Sequence, residues 1–255
     1  MSENPTPDTP TPDQPTPTPD TPTPDTPTPD QPTPEMLLYV LLDRSGSMAS
    51  MADDVIGGFN QLLAEQQADG NDARITLVQF DSGGPQEVIA DAVPIAEMTP
   101  LGAATFVPRG ATPLLDATGM LLARAGARVA QRSAEGLPAE EIVFVSITDG
   151  HENASTEYSL RAVRQLIEAN RNAGWTFVFL GAALDVYGEA GGLGYDPRAV
   201  QSFAADGVGS SEAFASLSRS TSAKRDRVRR SMDVDKDDFF IDKAAEADRQ
   251  RRRGA

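Results

Sequence analysis

The chain has 255 residues, 38 of them acidic and 22 basic, for a formal net charge of −16. That acidity argues against nucleic acid as a partner, because binding a phosphate backbone needs clustered cations. Cysteine is absent, so no disulfide frames the fold, and no apolar run is long enough to span a bilayer, which removes the membrane as a partner.

Residues 1–34 repeat Pro, Thr and Asp and hold 13 of the 20 prolines. Repeated proline fixes φ and removes donors while the aspartates repel, so this tail is expected to be a disordered, extended spacer. Its first five residues have neither a basic region nor an apolar stretch, so they do not read as a signal peptide, and the cytoplasm is the expected location. Charge divides unevenly: −7 over residues 1–35, −12 over 36–223 and +3 over the remainder. One domain is expected over 35–223, followed by a charged C-terminal tail at 231–255.

The seven residues 36–42 are apolar without alternation, the pattern of a strand covered on both faces. The chain then runs through Asp43, Ser45 and Ser47, with Gly46 between the hydroxyls. Residues 53–67 predict a helix with Val55, Ile56, Phe59, Leu62 and Leu63 on one face, and Asp53 and Asp54 at its positive end. Gly57-Gly58 inside it implies a close approach to the sheet. A turn at 69–72 leads to a strand at 74–80 with Asp81 at its exit. Residues 88–93 predict a short edge strand, since Pro94 does not fit mid-sheet.

A loop at 99–110 precedes a helix with Thr112 at the N-cap and Pro113 at its first position. Residues 142–148 predict a buried strand ending on Asp149-Gly150, 159–172 a helix, and 175–180 a strand. A short helix from Asp185, a weak strand near 200–203 and a helix from about Ser211 through Arg230 complete the alternation. Such alternation predicts an α/β fold: a doubly wound, mostly parallel central sheet with helices on both faces.

In open α/β sheets, ligands bind beyond the carboxyl ends of the strands. Asp43, Ser45, Ser47, Thr112 and Asp149 all fall there, on three separate loops. Hard oxygen donors of this kind suit a magnesium-like cation. Thr105 competes with Thr112 for the threonine place, and the proline-led helix after Thr112 favours it. Asp81 and Asp116 read as caps or supporting acids, and His151, the lone histidine, as an exposed loop residue.

On these motifs the chain resembles a von Willebrand factor type A (vWA) domain with a metal-ion-dependent adhesion site, over residues 36 to about 223. The residues are Asp43-Arg44-Ser45-Gly46-Ser47, Thr112 ahead of Pro113-Leu114-Leu115-Asp116-Ala117, and Asp149 in Ile147-Thr148-Asp149-Gly150. Gly57–Asn60, Asp149–Ser155 and Gly174–Gly181 look similar to stretches in small stand-alone bacterial and phage vWA proteins. The resemblance implies a Rossmann-like fold and a divalent cation, Mg²⁺ with Mn²⁺ or Ca²⁺ as substitutes. The two serines and the threonine would bind it, with the aspartates acting partly through water. It also implies a protein partner that completes the coordination with an Asp or Glu.

Rival chemistries find little support. A haloacid-dehalogenase phosphatase needs an acid where Ser45 stands, no Gly-x-Ser-x-Gly elbow occurs, and the first lysine is Lys224, so there is no phosphate-loop lysine. Asp233-Val234-Asp235-Lys236-Asp237 begins like a calcium loop but has Asp238 and Ala244 where glycine and glutamate belong. Phe239, Phe240 and Ile241 stand out as a docking patch in the tail. The expected function is a non-enzymatic, metal-dependent protein-binding module. The alternative is an assembly component whose metal stiffens the loops and whose tails associate; a hydrolase or phosphatase ranks third.

Overall fold

Strand β1 (Met36–Asp43) lies at the centre of the sheet, and all eight of its residues are buried. Because successive side chains point to opposite faces, Leu38, Val40 and Leu42 enter one core while Leu37, Tyr39 and Leu41 enter the other. This is why the run shows no polar alternation. The computed structural model describes residue 1, residues 35–230, residue 232 and residues 239–253. The Pro/Thr/Asp tail and the calcium-loop-like stretch fall outside the described residues.

The elements all lie in the unit Pro32–Ala255. Strands β2 (Ala73–Asp81), β3 (Gly84–Pro94), β4 (Glu141–Thr148), β5 (Thr176–Gly181) and β6 (Val200–Ser202) join β1 in the order β3-β2-β1-β4-β5-β6. Only β3 is antiparallel, at one edge. It extends further than the expected 88–93 because its first residues also pair back onto the end of β2, down to Asp81 opposite Gly84. Pro94 sits at its end, opposite Arg74, where a missing donor costs least.

Among the described residues, six α-helices flank the sheet: α1 (Ala52–Ala68), α2 (Leu114–Ala134), α3 (Leu160–Asn172), α4 (Val186–Leu193), α5 (Gly207–Arg229) and α6 (Ala244–Arg253). Helices α1 and α5 cover one face, burying Val55, Phe59, Leu62, Phe214 and Leu217. Helices α2, α3 and α4 cover the other through Leu121, Leu122, Val163, Ile167 and Val186. The alternation therefore builds the doubly wound α/β architecture that it predicts.

Three local expectations are corrected. The glycine pair in α1 does not serve an approach to the sheet. A Cβ on Gly58 would lie 2.3 Å from Phe214 Cδ2, so Gly58 admits the α5 ring, while Gly57 has nothing within 4 Å. Helix α2 begins at Leu114, with Pro113 at its cap and no side-chain capping bond, so Thr112 is not its N-cap. The segment after α5 is not merely a charged tail: Phe239, Phe240 and Ala245 are buried in the core beside α5, and only Ile241 of the patch is exposed.

Candidate metal centre

The chain leaves β1 at Asp43, and both carboxylate oxygens of Asp43 are held. The Ser45 amide donates to Oδ1 at 2.7 Å, closing a turn of the type that Asp forms with the residue two positions on. Thr148 Oγ1, at the end of the neighbouring strand β4, donates to Oδ2 at 2.6 Å. Asp43 thus ties two adjacent strand ends together and aims the serine loop.

Ser45 Oγ and Ser47 Oγ lie 3.0 Å apart, and Ser47 Oγ donates to Asp149 Oδ1 at 2.7 Å. Thr112 arrives from the loop before α2. Its position is marked by Gly150, where a Cβ would lie 3.2 Å from Thr112 Oγ1 and 3.5 Å from Ser47 Oγ. Ser45, Ser47, Thr112, Asp43 and Asp149 therefore gather at the carboxyl ends of β1 and β4. Asp43, Ser45 and Thr112 are buried and Ser47 is exposed, so the cluster opens to solvent at Ser47.

The competing threonine is placed elsewhere: Thr105 Oγ1 closes a local turn with the amide and carbonyl of Gly102. The Thr112 loop is stitched to the serine loop through Gly46 N to Gly110 O (3.0 Å) and Arg109 N to Arg44 O (2.8 Å). Gly110 has φ +69°, and a Cβ there would sit 2.5 Å from Ser82 Oγ, so both backbone and space require glycine.

Neighbouring acids have other partners. Asp81 is fully buried against Arg44, whose Nε donates at 2.7 Å, and Arg109 adds a second bond at 3.1 Å. Arg44 also reaches Gln79 and Glu87, so the residue between Asp43 and Ser45 anchors the loop to β2 and β3. Asp116 accepts the amides of Thr156, Glu157 and Tyr158 at 2.7 to 2.9 Å. His151 is exposed, with Nδ1 3.6 Å from Glu189 Oε1.

Electrostatics set Asp43 and Asp149 apart from Asp81. Burial pushes the Asp43 carboxyl up to about 6, against the bonds from Thr148 and Ser45 that favour its charged form. Burial also raises Asp149, against the Ser47 bond. Neither has an ion-pair partner among the described residues. Two partly desolvated carboxylates without a cationic partner thus stand beside the hydroxyls, an arrangement that a small cation would relieve.

The donor set fits a hard divalent cation such as Mg²⁺, since every converging atom is oxygen. No group of three or more His, Cys, Asp or Glu that could hold a metal forms among the described residues, so the fit rests on the hydroxyls. Sequence reasoning overlooks Thr148, Arg44 and Asn153, which organise the cluster. Thr148 leaves a trace, a hydroxyl at a buried strand position immediately before Asp149.

No family model matches the sequence, and no curated protein sequence matches it. Among solved structures, the pilus adhesin SpaC from Lactobacillus rhamnosus GG aligns with a TM-score of 0.54 at 15% identity, covering 78% of this chain and 31% of that one. Proximal thread matrix protein 1 from the mussel byssus, solved with a zinc-occupied MIDAS motif, aligns at 0.48 and 16% identity, covering 71% of this chain and 46% of that one. The VWA domain of SpRpn10 aligns at 0.43 and 10% identity, covering 66% and 86%. The chain spans less than half the length of the adhesin and matrix structures, and identities this low speak to fold alone. In its strand order and its layers, the chain has the fold of a von Willebrand factor type A domain.

Proposed function

We propose that the protein is a metal-dependent protein-binding module that engages an acidic side chain of its partner. The observation that carries this reading is the convergence of Ser45, Ser47 and Thr112 with Asp43 and Asp149 at one solvent-open point beyond the carboxyl ends of β1 and β4. Ser45, Ser47 and Thr112 would hold Mg²⁺, and Asp43 and Asp149 would fix the hydroxyls and supply charge around them. When bound, the ion would offer an exchangeable coordination position to an external carboxylate.

The chain's own residues favour this use. Hydroxyls are neutral, so ligation by them leaves the ion's charge available for an incoming Asp or Glu. The charge of Asp43 is already engaged by Thr148 and the Ser45 amide. The exposed Ser47 side is the face from which a partner would approach. The adhesin with the same fold is by its name an attachment protein.

The test is retention of partners on immobilised full-length chain with Mg²⁺ and after chelation, beside an Asp43→Ala variant. Partners that stay with Mg²⁺ and leave on chelation, and that Asp43→Ala fails to retain, support the reading. Equal retention in all three conditions refutes it.

A further inference from the structure

The stretch Glu152-Asn153-Ala154-Ser155, which follows Asp149 without entering a helix or strand, is bonded to the start of α2 residue by residue. The Thr112 amide donates to Asn153 Oδ1 at 2.8 Å, and the Asn153 amide donates to the Thr112 carbonyl at 3.1 Å. Behind this pair, the Leu115 amide donates to Glu152 Oε2 (2.8 Å) and the Asp116 amide to Ser155 Oγ (3.0 Å). The last two bonds satisfy the amides of the second and third residues of α2, a task that the Pro113 cap does not perform. Asp116 returns the arrangement by accepting the amides of residues 156–158.

Both main-chain hydrogen-bonding groups of Thr112 are therefore held by a single partner. Asn153 stands four residues beyond Asp149, so this partner belongs to the same loop as the second carboxylate. We infer that Asn153 is a positioning residue for the cation site: its two bonds fix the Thr112 backbone and so place Thr112 Oγ1 beside Ser47 and Asp149 before any ion arrives. This rests on the proposed cation site and adds the device that assembles it from two loops.

The physical reason is preorganisation. The chain up to Ala111 is already held, through Gly110 to Gly46 and through Ala111 to Ser82, so the Asn153 pair is what fixes the Thr112 peptide itself. Without it that peptide and its hydroxyl would sample more positions, each costing ordering entropy on ion uptake. Partners that orient ligands in this way are typically worth about 10- to 100-fold in metal affinity. Glu152 and Ser155 bond amides further along α2, so they support the helix rather than the Thr112 peptide itself.

The test measures Mn²⁺ uptake by the full chain through electron paramagnetic resonance titration, alongside thermal unfolding in chelator. Asn153→Ala is expected to weaken uptake about tenfold or more. Ser155→Ala, which removes an α2 cap of comparable worth to the fold, is expected to lower the unfolding temperature but keep uptake within about twofold. Asn153→Asp, which retains an acceptor for the Thr112 amide, is expected to recover most of the loss. Unchanged affinity in Asn153→Ala overturns the inference, as does equal weakening by Ser155→Ala or failure of Asn153→Asp to recover. Absence of uptake by the unaltered chain would remove the cation site and this inference together, whereas uptake insensitive to Asn153→Ala removes only the latter.

Discussion

Ser47 Oγ donates to Asp149 Oδ1 at 2.7 Å across 102 residues of sequence, joining the loop after β1 to the loop after β4. Either side chain alone is an ordinary polar residue at a strand exit. Together they bridge the two loops at the solvent-open side of the cluster. Ser47→Ala is predicted to weaken Mg²⁺ uptake by about tenfold or more while changing stability in chelator by no more than about 2 kcal/mol, since two hydrogen bonds at a solvent-open position, to Ser45 and to Asp149, are lost. Calorimetric titration and chemical unfolding of the same samples check both halves.

Asp43 gives the metal-free protein a defined pH response. Burial raises its carboxyl to about 6, so the folded state favours the neutral form. A raised carboxyl contributes its full stabilisation below the unfolded value near 4 and loses it as pH climbs through the folded value. Relative to Asp43→Asn, the chelated protein is therefore predicted to lose stability between about pH 4 and 6. Mg²⁺ should act oppositely, stabilising more as the competing proton leaves over that window. Unfolding midpoints of both proteins across the range, with and without Mg²⁺, test the sign.

At the opposite end of the sheet the sign reverses. Asp72 is partly desolvated, which alone would raise its carboxyl, but bonds from Arg229 and Arg225 hold it well below the usual carboxylate range. Its contribution is present above the ordinary carboxylate value and fades as pH falls below about 4. Arg225 is wholly buried and also bonds the carbonyls of Gln66 and Gly70, fastening α5 to the turn before β2. Asp72→Asn is predicted to cost about 2 kcal/mol or more at neutral pH by leaving that guanidinium poorly matched, and to lessen the acid sensitivity. Urea unfolding at neutral and acid pH reads both.

The two adjacent glycines of α1 should respond in opposite directions. Gly57→Ala adds a methyl into open space and is predicted to stabilise by up to about 1 kcal/mol through helix propensity. Gly58→Ala drives a Cβ into the Phe214 ring and is predicted to cost about 1–3 kcal/mol. Thermal melts of the two variants decide it, and similar shifts in both would contradict the packing described.

Much of this arrangement is legible in the sequence because the informative residues are close together or periodic. The run at 36–42 announces a doubly covered strand, and the hydroxyls at 45 and 47 are spaced by two immediately after it. What joins the site is less visible. The bonds between residues 112–116 and 152–158 link amides to side chains 37 to 42 positions apart, a distance at which no local pattern survives. Arg44 looks like an ordinary residue between Asp43 and Ser45, yet its guanidinium is buried against Asp81. The C-terminal segment hides its role for another reason. Phe239 and Phe240 lie amid many charges, and α6 shows no broad apolar face, because Ala245 is small and Arg249 docks through bonds to the carbonyls of Ala182 and Ala183.

The central claim is that Ser45, Ser47, Thr112, Asp43 and Asp149 share one divalent ion. Calorimetric titration of chelator-stripped full-length protein with Mg²⁺ tests it most directly, beside a variant carrying Ser45→Ala and Thr112→Ala. The account predicts saturable uptake of one ion per chain by the unaltered protein and none by the variant. Absence of uptake by the unaltered protein, or equal uptake by both, would contradict it.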